Sequence, residues 1–134
     1  MQRILVVEDD IEIQDMLRNY LTDAGYEVVI AEDGVTGIAK FDDTINLVLL
    51  DIMLPKIDGY GVCEVIRQRS QVPIIMLTAL SDEENQIKGF EQQIDDYIPK
   101  PFSPKILLYK IAAIFRRGSS DTQKQTSIVY KDLC

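Results

Sequence analysis

The chain has 134 residues, 14 of them Lys or Arg and 22 Asp or Glu, with a formal charge of −8 and no histidine. That length suits one domain with a buried core, and the missing histidine excludes Ser-His-Asp and Cys-His nucleophile systems, His-ligated zinc and a phosphohistidine carrier. What remains for chemistry is mostly carboxylate, and an acidic surface disfavours nucleic-acid binding by this region, because affinity for phosphate backbones rests on Lys and Arg.

Along the chain, short apolar runs alternate with longer segments of helical period, which predicts repeated βα units and a parallel sheet. The first run, Ile4–Val7, is too short for a signal-peptide core and leads straight into Glu8-Asp9-Asp10. Ile13, Met16, Leu17, Tyr20, Leu21 and Ala24 then recur at steps of three and four, one face of a helix that Gly25 ends. After Val28–Ile30, a second helix over about 34–42 turns Val35, Ile38 and Phe41 inward. Leu47–Leu50 precedes a third helix, opened by Asp58-Gly59 and buried along Val62, Val65 and Ile66; Cys63, in the same stretch, reads as a small buried thiol. Ile74–Leu77 precedes a fourth helix, which Ser81 and Glu84 open at capping-box spacing. A weaker strand at Tyr97-Ile98 leads to a fifth helix with Ser103 as cap, Pro104 at its first position and an end near Arg117.

Five strands and five helices fill residues 1–117 and predict an α/β fold with a doubly wound parallel sheet. Beyond Arg117 the stretch 118–127 is small and polar and reads as a flexible linker. Residues 128–134 turn apolar again, as the opening strand of a second domain would. Two cysteines, Cys63 and Cys134, make no disulfide framework, and no run approaches the ~20 apolar residues of a spanning helix. The expected setting is the reducing cytoplasm, away from membranes.

Ligands of an open parallel sheet sit outside the carboxyl ends of its strands, where strand order reverses. Glu8 and Asp9 follow the first predicted strand, Asp51 the third, Thr78 the fourth and Lys100 the fifth. Each has a plain structural alternative: Asp9 or Asp10 caps the first helix with Glu12 at capping-box spacing, Asp51 is a loop acid, Thr78 a strand-end residue, and Lys100 a solvated charge. Their joint placement at strand ends favours a site. Carboxylates ~4 Å apart repel by roughly 4 kcal/mol per pair at an effective dielectric of 20, so three of them call for a cation. Oxygen ligands with room for water and phosphate suit magnesium.

Four stretches, Ile4-Leu-Val-Val-Glu-Asp-Asp10, Leu47-Val-Leu-Leu-Asp-Ile-Met-Leu-Pro55, Ile75-Met-Leu-Thr-Ala79 and Asp95-Asp-Tyr-Ile-Pro-Lys-Pro-Phe102, resemble the receiver domain of bacterial two-component response regulators over residues 2–117. The Lys-Pro-Phe-Ser-Pro segment, Arg116-Arg117 and the following Ile-Val-Tyr-Lys-Asp-Leu resemble the OmpR/PhoB-type transcription factors, in which a winged-helix DNA-binding domain follows. The resemblance implies a flavodoxin-like strand order 2-1-3-4-5. It implies that Asp51 is the phosphoacceptor for a sensor histidine kinase, that Asp9, Asp51 and the Met53 carbonyl ligate magnesium with Glu8 acting through water, and that Lys100 pairs with the phosphoryl group. Thr78 and Tyr97 are then the switch residues, and Lys100-Pro101 is a cis peptide. The resemblance further implies a domain that acts as a switch, not as an enzyme, and that reaches DNA only through the following domain.

On the expected homodimer face of fourth helix, fifth strand and fifth helix, Asp96 with Lys110 and Glu91 with Arg117 match the subfamily's charge pairs. Gln86 and Ile106 replace a third pair, and Ile106 and Tyr109 lie off the apolar stripe of the last helix, exposed for an apolar dimer contact. Gln93-Ile94 depart from the usual Gly-Ala. The alternatives are an aspartyl-phosphate phosphatase of the haloacid-dehalogenase type, which wants an acid where Met53 stands, and a stand-alone phosphorelay intermediate.

Overall fold

Strands β1 (Arg3–Val7), β2 (Glu27–Ala31), β3 (Leu47–Asp51), β4 (Ile74–Thr78) and β5 (Asp96–Pro99) form one parallel sheet in the order β2-β1-β3-β4-β5. The computed structural model describes residues 2–78 and 94–121, with only the backbone of Thr78 and of 118–121. Helices α1 (Ile11–Asp23), α2 (Gly34–Lys40) and α3 (Gly59–Arg67) connect the first four strands. The fourth predicted helix, with Ser81, Gln86, Glu91 and Gln93, lies outside the described residues.

Each predicted strand run is a strand, extended by a residue or two where the parallel ladder continues. Because crossovers between parallel strands are right-handed, the step from β1 outward to β2 and the step back across to β3 put α1 and α2 on opposite faces. Strand order therefore reverses between β1 and β3, and their carboxyl ends open the crevice. On one face, Leu5, Val7, Val48, Leu50, Ile74 and Met76 pack with Ile38 and Phe41 at α2 and Val62, Cys63 and Ile66 of α3. The alternating residues Ile4, Val6, Leu47, Leu49, Ile75 and Leu77 are equally buried, as the pleat of a doubly covered sheet requires.

Helix ends follow from local chemistry. Asp10, not Asp9, caps α1, its Oδ1 accepting from the amides of Glu12 (2.9 Å) and Ile13 (3.3 Å). Gly25 ends that helix at φ +97°, with Gly25 N–H bonded to Thr22 O and Tyr26 N–H to Leu21 O, a closed left-handed cap. Two helix faces differ from expectation. Tyr20 and Ala24 are exposed, since α1 buries only Leu17 and Leu21. Val35 is exposed too, because α2 packs through Gly34 and Gly37: a Cβ on Gly37 would sit 2.9 Å from Val7 Cγ2, so the bare backbone forms the buried face.

The last helix, α4 (Pro104–Asp121), belongs to a second unit, Ser103–Cys134. Ser103 caps it through its hydroxyl, which accepts from Ile106 N–H at 3.3 Å. Leu107, Ile111 and Ile114 are buried at helical spacing. The helix runs four residues into the stretch predicted as linker, because Gly118 costs only about 1 kcal/mol relative to Ala and no proline follows to break it. Residues 122–134 lie outside the described ones.

Candidate functional site

Pairing places Val7 opposite Leu50, Asp51 opposite Leu77 and Thr78 opposite Pro99. Glu8 and Asp51 thus leave neighbouring strands at the same level, while Lys100 stands two residues higher and its long side chain reaches back over the strand ends. The Lys100 ammonium donates to Glu8 Oε1 at 2.8 Å and pairs with Asp51 Oδ2 at 3.3 Å. Glu8 Oε2 accepts from Asp10 N–H at 3.1 Å, and Asp51 Oδ1 from Met53 N–H at 3.2 Å. Glu8 and Asp51 are buried, whereas Asp9 is exposed at the mouth.

Burial pushes the Glu8 carboxyl up from 4.5 to about 7, aided by the charge of Asp51 and opposed by the Lys100 hydrogen bond. Burial alone would lower the Lys100 ammonium, but its hydrogen bond to Glu8 and the Glu8 and Asp51 charges outweigh that and hold it above the ordinary lysine value. A carboxylate oxygen from each of Glu8, Asp9 and Asp51 lies within 4.8 Å of the others. This all-oxygen donor set, partly desolvated and open on the Asp9 side, fits a hard divalent cation.

The loop from β3 to α3 is held tightly. Gly59 N–H donates to Ile52 O at 2.8 Å, and a Cβ on Gly59 would stand 2.4 Å from the Asp51 carbonyl oxygen, so only glycine lets α3 start this close to Asp51. Asp58 caps α3 by accepting from Gly61 N–H at 2.9 Å. On the other side of the loop Lys56, at φ 72°, pairs with Asp33 at 3.4 Å, and Asp33 caps α2 by accepting from Thr36 N–H at 2.7 Å.

Four of the expected residues, Glu8, Asp9, Asp51 and Lys100, come together, with Met53 beside them through its amide. Thr78 ends β4 as expected. Tyr97 is half-buried, packed on the α2/α3 face, with its hydroxyl 3.1 Å from that of Tyr60. Lys100-Pro101 is cis, and Pro99 lies on an edge strand, where a missing ladder donor is tolerated. Ile94 packs partly buried against the α2/α3 core, which absorbs its bulk. Of the expected dimer-face residues, Asp96 lies on β5, its carboxylate accepting from Tyr97 N–H, and Ile106, Tyr109, Lys110 and Arg117 lie on α4. Ile106 and Tyr109 are 53% and 65% exposed, as their place off the stripe requires.

Sequence reasoning missed Tyr60 and the Asp33–Lys56 pair. Asp33 ahead of Gly34 and Thr36 is a readable cap signal, but nothing local links Tyr60 to a partner 37 residues away.

The response regulator receiver domain profile matches residues 4–112. The chain is 49% identical over 127 residues to a probable transcriptional regulator, ycf27, of Cyanophora paradoxa, covering 94% of this chain and 53% of that protein. It is 42% identical to the transcriptional regulatory protein CpxR of Klebsiella pneumoniae, covering 95% and 55%. The chain thus spans about half the length of these curated relatives. Among solved structures it resembles a CheY-like receiver domain protein of Methanospirillum hungatei, with TM-score 0.84, 35% identity and coverage of 90% and 98%. It also resembles DrrB, a Thermotoga maritima OmpR/PhoB homolog, with TM-score 0.80, 37% identity and coverage of 88% and 54%. Among the described residues no helix is long and apolar enough to cross a membrane.

Proposed function

The chain belongs to the response regulator receiver family, and on that premise we propose that it is a phosphoryl-accepting switch with Asp51 as acceptor. The observation that carries the reading is the buried Asp51 carboxylate, 3.3 Å from the Lys100 ammonium and grouped with the carboxylates of Glu8 and Asp9. A carboxylate oxygen of Asp51 attacks the phosphorus of a phosphohistidine on a sensor kinase. The N–P bond breaks, its electron pair stays on the imidazole, and an acyl phosphate forms. Such a transfer depends on alignment and on charge neutralisation more than on covalent help. Met53 N–H fixes the Asp51 rotamer through Oδ1, and Lys100, already paired with Oδ2, is placed to neutralise a phosphoryl oxygen.

Glu8, Asp9, Asp51 and the Met53 carbonyl would hold magnesium, which when bound neutralises phosphoryl charge. Thr78 supplies a hydroxyl to the phosphoryl group, and Tyr97 turns inward as the output face rearranges. The domain changes state instead of turning over a substrate. The exposed Ile106 and Tyr109 support a symmetric homodimer on phosphorylation, formed with an apolar contact in place of one ion pair. The naming of longer relatives as transcriptional regulators supports control of transcription in the cytoplasm, with DNA reached through a further domain beyond a linker.

Intact mass after incubation with acetyl phosphate and magnesium tests the reading. One added phosphoryl group is expected on the native chain, and none on Asp51→Asn or without divalent cation. Sedimentation of the beryllofluoride-treated protein is expected to show a dimer; a monomer at high concentration refutes the dimer. An adduct that survives Asp51→Asn would overturn the assignment.

A further inference from the structure

Tyr60 is the second residue of α3, 5% exposed, and its hydroxyl lies 3.1 Å from that of Tyr97 on β5. Tyr97 pairs with Met76 in the sheet, which puts its ring on the α2/α3 face, partly buried against the core cluster to which Tyr60 belongs. The other end of the connection is equally fixed. Gly59, adjacent to Tyr60, hydrogen-bonds Ile52 O and has no room for a Cβ beside the Asp51 carbonyl oxygen. The first turn of α3 therefore moves with the backbone of Asp51, while three residues past Tyr97 comes Lys100, which touches Asp51 from the β5 side.

We propose that Tyr60 is a positioning residue for Tyr97: its hydroxyl holds the Tyr97 ring inward and ties that ring to the helix that starts at the phosphoacceptor. The inference rests on the reading of Tyr97 as the switch aromatic. A hydrogen bond made in the inward state and lost in the outward one shifts the two populations by its net worth. For a neutral hydroxyl pair, removal is expected to change the inward-to-outward ratio by about threefold to tenfold. Phenylalanine at position 60 would keep the ring packing and delete only the oxygen, so the effect is separable from burial.

The test uses the full chain, with the ring resonances of residue 97 followed by NMR and Asp51 labelling followed by intact mass. In the beryllofluoride-treated protein Tyr60→Phe is expected to move the ring signals toward the outward position by that ratio, with the extent of acetyl phosphate labelling of the untreated variant unchanged. Tyr97→Phe removes the same bond from the other end and should move the ring of residue 97 alike, which keeps the test alive if Tyr60→Phe folds poorly. Ring signals that stay inward in either folded single variant overturn the proposal. The reading beneath it fails separately, if the native Tyr97 ring does not respond to phosphorylation of Asp51.

Discussion

Lys100 Nζ stands 2.8 Å from Glu8 Oε1, joining residues 92 apart in sequence across two intervening strands. It is the contact by which a buried carboxyl is held at the mouth of the sheet, and burial raises that carboxyl from 4.5 to about 7. A carbon-detected NMR titration of the Glu8 carboxyl is expected to show its midpoint near that value in the native chain. Lys100→Ala removes a hydrogen bond and a charge that favour the anion, so the midpoint should rise. Asp51→Asn removes a repelling charge, so it should fall.

The same shift has a sign in stability. Between pH 4.5 and about 7 the folded protein holds a proton on Glu8 that the unfolded chain has released. The contribution of Glu8 is therefore full below the lower value and is lost as pH rises through the upper one. Urea unfolding at pH 5 and pH 8 should show a decline that Glu8→Gln flattens; an equal decline in the variant would refute the assignment to Glu8.

Three carboxylates within 4.8 Å repel one another, so a bound dication should stabilise the fold. Magnesium at a hundred times its dissociation constant is expected to raise the unfolding free energy by about 2.7 kcal/mol through mass action, and chelation should reverse it. Asp9→Asn and Asp51→Asn should each shrink the increment. Thermal melts with and without magnesium check this, and an undiminished increment in both variants would place the ion elsewhere.

Gly59→Ala puts a methyl group 2.4 Å from the Asp51 carbonyl oxygen and 2.8 Å from Ile52 Cα. Backbone cannot yield there without displacing the end of β3 at Asp51, so a loss of about 1–3 kcal/mol is expected, as for other overpacked sites. Asp51 labelling by acetyl phosphate should slow in the folded fraction. A variant with native urea midpoint would show that the loop has slack.

The sheet and four of its rim residues were legible because both signals are local: apolar runs of strand length mark the strands, and the residues just beyond each run sit by necessity at the carboxyl ends. Helix faces were less legible. Val35 fits an apolar stripe, yet α2 packs through Gly34 and Gly37, whose lack of a side chain makes them silent to any hydrophobic period. Tyr20 matches the period of α1 but lies at the margin of a face that needs only Leu17 and Leu21. The Tyr60–Tyr97 and Lys56–Asp33 contacts depend on how separate βα units meet, which no single window contains.

Lys56 is the non-glycine residue in the left-handed region among those described, at φ 72°. Its Cβ is crowded there, and its side chain, 63% exposed, reaches Asp33 at 3.4 Å. Two effects compete at this position. Glycine would remove the strain, worth about 1 kcal/mol even after its larger unfolded-state entropy is counted against it. Losing an ion pair that water screens costs roughly half that or less, and Asp33 keeps its hydrogen bond from Thr36 N–H. Lys56→Gly is therefore expected to be more stable than the native chain, and Lys56→Ala, which keeps the strain and drops the pair, less stable. Urea midpoints for the three proteins decide it. If glycine ranks above alanine but below the native chain, the Asp33 contact, not backbone conformation, governs the loop that carries Met53 beside Asp51.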